Sequence, residues 1–341
     1  MSITIGGMKI EPGTTKFGHL RIAQRPVTEL ALPVTVVNGS EPGPTLGITA
    51  GVHACEYAGI VTCMRLGKEI DPKELKGTLI LVPVVNLPSF ETRTPFVNPI
   101  DGQNINRVFP GNKNGSVSYQ IAYMVHQEVV LRSDAYIDLH SGDLYEATPW
   151  HVGCQRVGNK EVDEMSEKLA RLFNIELLNV MGKGIDDLSA TEDEQGTYFA
   201  GLQSGLTSVG NAALAGIPSV LIEAGGAGTL DPKVVDMEIE GIKNCMRYMG
   251  MLEGEANENI PHKVCYGMYI MKSKFGGMFF PDVIPGDYVQ EGQRIGEMQN
   301  IRGDVIATFT APMTGVILMM YTTPVRTSGE TIVIMGKTDE A

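Results

Sequence analysis

The feature that most constrains the fold is a series of short, continuous apolar runs that alternate with amphipathic stretches from about residue 45 to about residue 250. The apolar runs are 45–50, 78–85, 135–139 and 219–222. Runs of this length are typical of strands that are buried on both faces. Between them, apolar residues recur at the three- and four-residue spacing of amphipathic helices. These stretches are 56–70, 116–131 and 160–173. The alternation predicts an α/β domain with flanking helices and a central sheet that is mostly parallel or mixed.

The two ends of the chain have a different pattern. Residues 1–45 consist of short alternating segments punctuated by proline and glycine, which predicts a β-rich N-terminal part of the same domain. A polar stretch at 252–259 is typical of a linker. Beyond it, residues 262–341 are β-branched and rich in turns, without a helical period. We therefore predict a first domain over residues 1–258 and a separate all-β domain over residues 259–341.

Composition and charge exclude several classes of protein. Hydrophobic residues make up 43% of the 341-residue chain and charged residues 20%, as in soluble globular proteins rather than disordered ones. The net charge of -13 repels phosphate backbones and anionic lipids, so we expect neither nucleic acid nor membrane as a partner. No signal-peptide pattern opens the sequence, which predicts a cytoplasmic location. The five scattered cysteines lack a C-x-x-C pair and indicate reduced thiols.

Histidines and a carboxylate stand where the predicted strands end. His53 follows the first apolar run, and Glu56 lies three residues later at the start of the next helix, a spacing that can turn both side chains to one side. His140 follows the run at 135–139. In open α/β sheets, ligands collect beyond the carboxyl ends of the strands. Two imidazoles and one carboxylate leave one position of a tetrahedral zinc ion open, as in catalytic sites, so the pattern predicts a hydrolytic site with one zinc ion per chain.

Glu223 is the predicted general base of this site. It ends the run at 219–222 and is followed by Ala224-Gly225-Gly226, and a carboxylate at the tip of an apolar strand is costly unless it is paired or used. A hydrolytic metal site needs a group that accepts the proton of the water and passes it to the leaving nitrogen. Each feature alone has a simpler interpretation: H-x-x-E occurs by chance, His140 alone fits a core histidine, and Glu223 alone fits an ion pair. Their conjunction at three strand ends favours the site.

A polar, turn-rich segment at 101–111 contains Asn106 and Arg107. Arginine is suited to bidentate binding of a carboxylate, so Arg107 is a candidate to bind an anionic substrate in this acidic protein. The simpler alternative is a loop arginine that is paired with a nearby acid. Arg93 is a weaker candidate of the same kind. His151, next to the single tryptophan, is a candidate for the wall of a pocket.

Together these motifs resemble the succinylglutamate desuccinylase/aspartoacylase family, which belongs to the zinc carboxypeptidase-like superfamily. The resemblance covers roughly residues 40–250. The motifs that carry it are His53-x-x-Glu56, Asn106-Arg107 within Asn-Ile-Asn-Arg-Val-Phe-Pro-Gly, Asp138-Leu139-His140-Ser141-Gly142 and the strand that ends at Glu223. It implies that His53, Glu56 and His140 bind zinc and that Glu223 is the base. It also implies that Asn106 and Arg107 bind the carboxylate of the amino-acid half of the substrate, and that Arg93 polarises the scissile carbonyl.

Within the family, the sequence is most similar to the bacterial branch that deacylates N-acyl amino acids such as N-acetyl-diaminobutyrate. The resemblance implies a zinc-dependent amidohydrolase that removes an acetyl- or succinyl-type group from the amino nitrogen of a small carboxylate-bearing amino acid or derivative. Aspartoacylase itself differs: the interval between Arg93 and Asn106 is longer here, and its second substrate-binding arginine has no clear match before Glu223. Two rival hypotheses are a zinc carboxypeptidase acting on small peptides and a non-catalytic carboxylate-binding protein that uses Arg107.

The C-terminal region has a resemblance of its own, to a biotinyl/lipoyl-type β-sandwich. The segments that carry it are 285–293 and 311–316. The turn at 300–303 has no lysine where a carrier domain attaches its cofactor. The resemblance therefore implies a structural cap that borders the mouth of the active site and restricts substrate size or mediates homo-oligomerisation. Tyr288 and Tyr321 are candidates to reach the pocket from this side.

Overall fold

The structure of the protein, a computed structural model, describes residues 1–182, 191–192, 196–199 and 206–338. The α-helices in these residues are α1 (Tyr57–Glu69), α2 (Leu87–Thr92), α3 (Val117–Glu128), α4 (Lys160–Ala170), α5 (Ser208–Leu214) and α6 (Pro232–Tyr248). Two short 3-10 helices span Ile105–Arg107 and Val130–Arg132.

The strands form two groups, one before and one after α6 in the sequence. Those before it are β1 (Ile3–Ile5), β2 (Met8–Ile10), β3 (Thr14–Gln24), β4 (Glu29–Asn38), β5 (Glu41–Ala50), β6 (Lys76–Val82), β7 (Ala135–His140), β8 (Glu146–Ala147), β9 (His151–Arg156), β10 (Leu177–Gly182), β11 (Thr191–Glu192), β12 (Gly196–Phe199) and β13 (Ser219–Glu223). Those after it are β14 (Lys263–Lys272), β15 (Gly277–Pro281), β16 (Tyr288–Val289), β17 (Arg294–Gln299), β18 (Val305–Thr310), β19 (Gly315–Tyr321), β20 (Val325–Arg326) and β21 (Thr331–Lys337).

The four predicted apolar runs all form strands, and these strands lie side by side at the centre of a large sheet. Their order is β13, β7, β5 and β6, and each neighbouring pair is parallel. The register places Glu223 opposite His140 and Ala50 opposite Leu139. The carboxyl ends of these strands therefore meet at one edge, where side chains from different parts of the sequence come together.

Antiparallel strands extend this parallel centre on both sides, so the large sheet is mixed. β9 pairs antiparallel with β13, with His151 opposite Glu223, and β10 pairs parallel with β9. On the other side, β4 pairs antiparallel with β6 and β3 with β4. The predicted α/β class with a mixed central sheet is confirmed.

Both faces of the central sheet are buried, which explains why its strands read as continuous apolar runs. Along β6, Leu79 and Leu81 belong to one apolar cluster, while Ile80 and Val82 belong to the cluster on the opposite face. Successive side chains of a strand point to opposite faces, so a strand that is covered twice needs an apolar residue at every position.

The three predicted amphipathic stretches form α1, α3 and α4. α1 packs closely on the sheet because a β-carbon at Gly59 would lie only 2.6 Å from Cβ of Leu139, so this position has no room for a larger side chain. This close approach brings Glu56, at the start of α1, next to the end of β7. α6 is not among the predicted helices; Asp231 caps it with its carboxylate, and Pro232 is its first residue.

The C-terminal region is built of strands, as predicted. β18, β17, β15 and β20 form a separate sheet, but β14 pairs parallel with β10 and antiparallel with β21, so the large sheet continues into this region. β8 also pairs with β19, which places Glu146 opposite Tyr321. The division into domains at residues 258 and 259 stays a prediction. Among the described helices, none combines the length and the apolar composition needed to cross a bilayer.

Candidate metal centre and active site

His53, Glu56 and His140 converge at the carboxyl ends of β5 and β7. Their potential ligand atoms all lie within 4.8 Å of one another. Oε1 of Glu56 lies 3.1 Å from Nδ1 of His53, and Oε2 lies 3.0 Å from Nδ1 of His140. The structure thus brings together the three side chains that the sequence predicts as ligands.

The local backbone explains how the two ligands of the first motif face one point. The chain leaves β5 through Gly51, whose φ of +62° is a left-handed conformation that favours glycine. A turn follows, in which the amide of Glu56 donates to the carbonyl oxygen of His53 at 3.3 Å. Glu56 is the N-cap residue of α1, but its carboxylate caps no amide and is available to the site.

The donor set fits a divalent metal ion. Glu56 is 2% exposed, and its Oε2 lies 3.0 Å from Nδ1 of His140 without a hydrogen bond of regular geometry. Burial raises the pKa of Glu56, but His140 and His53 outweigh it, so the pKa lies below its ordinary value. Conversely, burial lowers the pKa of His140, but Asp138 and Glu56 raise it well above the ordinary value. The carboxylates therefore favour a positive charge at this point, which a metal ion supplies.

Asp138 holds His140 from the side opposite to Glu56. Its Oδ2 lies 3.0 Å from Nε2 of His140, and its Oδ1 accepts a hydrogen bond of 2.6 Å from the hydroxyl of Thr49. The hydroxyl of Ser208 donates to Oδ2. A histidine whose Nε2 is engaged in this way presents Nδ1 as its metal ligand. Asp138 is not among the predicted site residues, although its position two residues before His140 on the same strand face points to this contact.

A cavity of about 190 Å³ lies at this site. Of the predicted residues it is lined by His53, Glu56, Asn106, Arg107, Glu223 and His151. Burial raises the pKa of Glu223 well above its ordinary value, and Glu56 and Glu146 add to the shift, while His140 opposes it. A carboxylate whose pKa is raised is a stronger base than an ordinary one and takes up a proton more readily.

Glu146 also lines the cavity, and the sequence analysis missed it. Burial raises its pKa to about 7, and the charge of Glu56 contributes. The amide of Asp143 donates to Oε2 of Glu146 at 3.3 Å. No local pattern indicates this residue, because its position depends on the pairing of β8 with the distant strand β19.

Asn106 and Arg107 reach the cavity from the first 3-10 helix. Asn106 is buried, and its Oδ1 accepts a hydrogen bond of 2.9 Å from the amide of Ser208, which ties the helix to the start of α5. Nη1 of Arg107 donates to the carbonyl oxygen of Asn106 at 2.8 Å. Desolvation lowers the pKa of Arg107, whereas Glu146 and Glu223 raise it. Arginine stays protonated in proteins, so this side chain brings a positive charge to the cavity.

Four predicted side chains are not among the described residues that line the cavity: His140, which contacts Glu56 and Asp138, and Arg93, Tyr288 and Tyr321. Arg93 follows α2 with a φ of 55° and is exposed; its charge acts on Tyr57, whose pKa it lowers against the larger, opposite effect of burial. Lys263 lies over the ring of Tyr288 at 5.1 Å, and Arg326 lies over the ring of Tyr321 at 4.5 Å. Instead, the C-terminal strands contribute apolar side chains. These are Met268, Leu318, Met319 and Ile334.

A comparison with protein families identifies the family of the chain. The family model of the succinylglutamate desuccinylase/aspartoacylase catalytic domain matches residues 42–249. The chain belongs to this family. The matched range contains every predicted site residue in the first domain, and the family assignment made from the motifs is confirmed.

Members of the family and solved structures resemble the chain over nearly its whole length. The N-alpha-acetyl-L-2,4-diaminobutyric acid deacetylase of Halomonas elongata is 28% identical over 324 residues, which cover 91% of this chain and 86% of the relative. The product-bound ectoine utilization protein EutE (DoeB) from Ruegeria pomeroyi superposes with a TM-score of 0.81 at 21% identity, covering 95% of each chain. A succinylglutamate desuccinylase/aspartoacylase from Rhodobacter sphaeroides gives a TM-score of 0.81 at 21% identity, covering 97% of this chain and 98% of the other. These structures share the fold, including the C-terminal strands.

Proposed function

We propose that this protein is a zinc-dependent amidohydrolase that removes a short acyl group, acetyl or succinyl, from the amino nitrogen of a small amino acid or derivative that bears a carboxylate. The observation that carries the proposal is the convergence of His53, Glu56 and His140 beside a cavity that also contains Glu223 and Arg107. The family assignment and the deacetylase activity named for the Halomonas relative support it.

His53, Glu56 and His140 would hold one zinc ion per chain, and when bound, zinc would polarise the amide carbonyl and lower the pKa of a water molecule. Glu223 then accepts the proton of the attacking water. It returns this proton to the amide nitrogen as the carbon–nitrogen bond breaks, so that the amine leaves uncharged. The raised pKa of Glu223, caused mainly by burial, supports this double role.

Arg107 binds the carboxylate of the amino-acid half. Arg107 lines the cavity, and Asn106 fixes the neighbouring backbone through Ser208. We propose that Asn106 and Arg107 together orient the substrate, so that its amide lies at the metal centre.

The C-terminal strands act as a cap in this proposal. Met268, Leu318, Met319 and Ile334 narrow the cavity to about 190 Å³, a volume that suits a small N-acyl amino acid better than a peptide. The carboxypeptidase hypothesis therefore ranks second. The resemblance of the cap to a biotinyl/lipoyl-type β-sandwich, a homo-oligomeric assembly and a cytoplasmic location stay predictions.

Release of free amine from a panel of N-acyl amino acids and amino-blocked dipeptides by the zinc-loaded protein tests the proposal. We expect turnover of N-acyl amino acids that a chelator abolishes, and little turnover of the dipeptides. Glu223→Gln should bind zinc like the wild type but lose activity by about 10²-fold or more, whereas Glu253→Gln, at an exposed position, should keep it.

Two results would overturn the proposal. Full activity of Glu223→Gln with zinc bound would remove Glu223 from the mechanism. Tight carboxylate binding without turnover of any compound in the panel would favour the non-catalytic binding protein.

A further inference from the structure

His151, a predicted wall residue of the cavity, is the first residue of β9 and lies beside the predicted base. The antiparallel register of β9 and β13 places it directly opposite Glu223. Residues that face each other in this way have β-carbons about 4.5–5.5 Å apart. Both residues line the cavity. The ring of His151 therefore stands next to the place where Glu223 exchanges a proton.

One contact fixes which nitrogen of this ring carries the hydrogen. Nδ1 of His151 lies 3.0 Å from the carbonyl oxygen of Pro149. A carbonyl oxygen only accepts hydrogen bonds, so Nδ1 is the nitrogen that donates. Burial lowers the pKa of His151, against a smaller opposite effect of the Pro149 carbonyl, so the ring is neutral at neutral pH. Nε2 therefore has a free lone pair and is a hydrogen-bond acceptor.

Nε2 of His151 can be reached from the cavity. Among the described residues, no side chain or backbone group forms a hydrogen bond with it, since the contact with Pro149 involves Nδ1. It is nevertheless not one of the fully buried side-chain atoms that lack a partner, so it keeps accessible surface. The cavity is the space that this ring lines. A bound molecule can therefore offer a hydrogen to Nε2.

The proposed reaction brings one N–H group to this place. The nitrogen of a secondary amide has a single hydrogen. Once water has added to the carbonyl carbon, the nitrogen also has a lone pair, and this lone pair must face the carboxyl group of Glu223 to take its proton before the carbon–nitrogen bond breaks. An acceptor beside Glu223 that binds the N–H group holds the nitrogen in the orientation that this transfer needs.

We propose that Nε2 of His151 accepts the N–H of the scissile amide, and that His151 thereby orients the leaving nitrogen towards Glu223 and favours secondary amides over esters. The inference rests on the proposed deacylase function and deepens it, because it adds a residue that contacts the substrate and names the bond that is preferred. An ester has an oxygen atom in place of the N–H group, and that oxygen and Nε2 are both acceptors.

The test compares the N-acetyl amino acid that the wild type hydrolyses fastest with the acetyl ester of the 2-hydroxy acid that has the same side chain, for example N-acetylalanine with O-acetyllactate. Two variants separate the roles of the two ring nitrogens. His151→Asn keeps a donor near the position of Nδ1, for the carbonyl of Pro149, but has no atom at the position of Nε2. His151→Gln can place its amide oxygen at the position of Nε2.

We expect His151→Asn to lower kcat/KM for the amide by about tenfold, and kcat/KM for the ester by less than about twofold. His151→Gln should recover part of the loss for the amide. His19→Asn, at an exposed histidine, is the matched control and should change neither value. Zinc content should be the same in the variants and the wild type. Where the wild type does not hydrolyse the ester, the inhibition constant of the ester replaces its kcat/KM.

Equal losses for the amide and the ester in His151→Asn would overturn the inference and leave His151 with a structural role only. ¹⁵N NMR of histidine-labelled protein provides a readout that is independent of activity. The signals that disappear in His151→Asn should be those of a ring with its hydrogen on Nδ1, and a hydrogen on Nε2 would overturn the inference as well.

If no N-acyl compound is hydrolysed, the deacylase proposal fails instead. Calorimetric binding of N-acetylalanine and O-acetyllactate to the wild type and to His151→Asn then decides on the contact by itself. Tighter binding of the amide that is lost in the variant supports it, and equal binding of the two compounds to the wild type refutes it.

Discussion

Nε2 of His140 lies 3.0 Å from Oδ2 of Asp138, and this contact leaves Nδ1 of the same ring 3.0 Å from Oε2 of Glu56. Asp138 is completely buried, and the hydroxyls of Thr49 and Ser208 donate to it. The orientation of one predicted metal ligand thus depends on a carboxylate behind it. Asp138 is a positioning residue, since it contacts the predicted metal ligand His140 and would act on a bound metal only through it.

The first prediction concerns this contact. Asp138→Asn keeps the shape of the side chain but removes the charge that favours the Nε2–H form of His140, so we expect zinc affinity to fall by about 10- to 100-fold. Equilibrium competition with a chromogenic chelator measures this directly. Asp236→Asn, at a carboxylate that is 67% exposed and paired with Arg65, is the control. Unchanged zinc affinity of Asp138→Asn would contradict the positioning role.

The second prediction concerns binding of the substrate carboxylate. Arg107→Gln should lower kcat/KM by about 100-fold, mainly through KM, because hydrogen bonds between charged groups contribute about 1.5–3 kcal/mol. Arg107→Lys should recover part of this loss, since lysine restores the positive charge but not the bidentate hydrogen bonding of the guanidinium. Zinc content should not change in either variant.

An N-acyl amine without a carboxylate provides the control for Arg107. The wild type and Arg107→Gln should hydrolyse it equally well, because it offers the guanidinium no partner. A loss of activity towards this compound as large as that towards the acid would show that Arg107 acts on the reacting amide instead. Arg302→Gln, at a side chain that is 79% exposed, should behave like the wild type.

The sequence predicts the central part of the site because that part depends on local patterns. Strands that are covered on both faces need continuous apolar runs, and residues that follow such runs lie at one sheet edge whatever the order of the strands. His53, His140 and Glu223 are all of this kind. Glu56 follows from its spacing to His53.

The rest of the cavity depends on contacts between distant strands, which no local pattern encodes. Glu146 reaches the cavity through the pairing of β8 with β19, and Ile334 and Met268 reach it because β14 continues the large sheet. Asn179 lines the cavity from β10, a strand whose other residues are mostly apolar. The predicted tyrosines of the C-terminal region, by contrast, stack with Lys263 and Arg326.

The third prediction tests Arg93, whose role at the scissile carbonyl stays a proposal. If its guanidinium stabilises the oxyanion during turnover, Arg93→Met should lower kcat by about 10²- to 10³-fold with little change in KM, as for other oxyanion donors. A decrease in kcat of less than about threefold would mean that Arg93 does not stabilise the oxyanion and only neighbours Tyr57 at the end of α2. Arg132→Met, at the exposed last residue of the second 3-10 helix, is the control.

The last prediction concerns Glu238, a carboxyl group in the interface between α1 and α6. It is completely buried, the hydroxyl of Thr62 donates to its Oε2 at 2.5 Å, and burial raises its pKa from 4.5 to about 8. Between these two pH values the folded chain holds a proton that the unfolded chain has released. The contribution of this group to stability is therefore complete below about pH 4.5 and is lost as the pH rises through about 8.

Glu238→Gln keeps an uncharged group of the same shape at every pH, so it should escape this loss. Relative to the variant, the wild type should lose up to about 1.4 kcal/mol of unfolding free energy per pH unit across that window. Urea unfolding of both proteins near pH 5.5 and near pH 8 measures the difference, in which all other titrating groups cancel. Glu240→Gln on the same helix, at a side chain that is 70% exposed, should show no such trend. A difference between wild type and Glu238→Gln that stays constant with pH would mean that Glu238 titrates near its ordinary value in the folded protein.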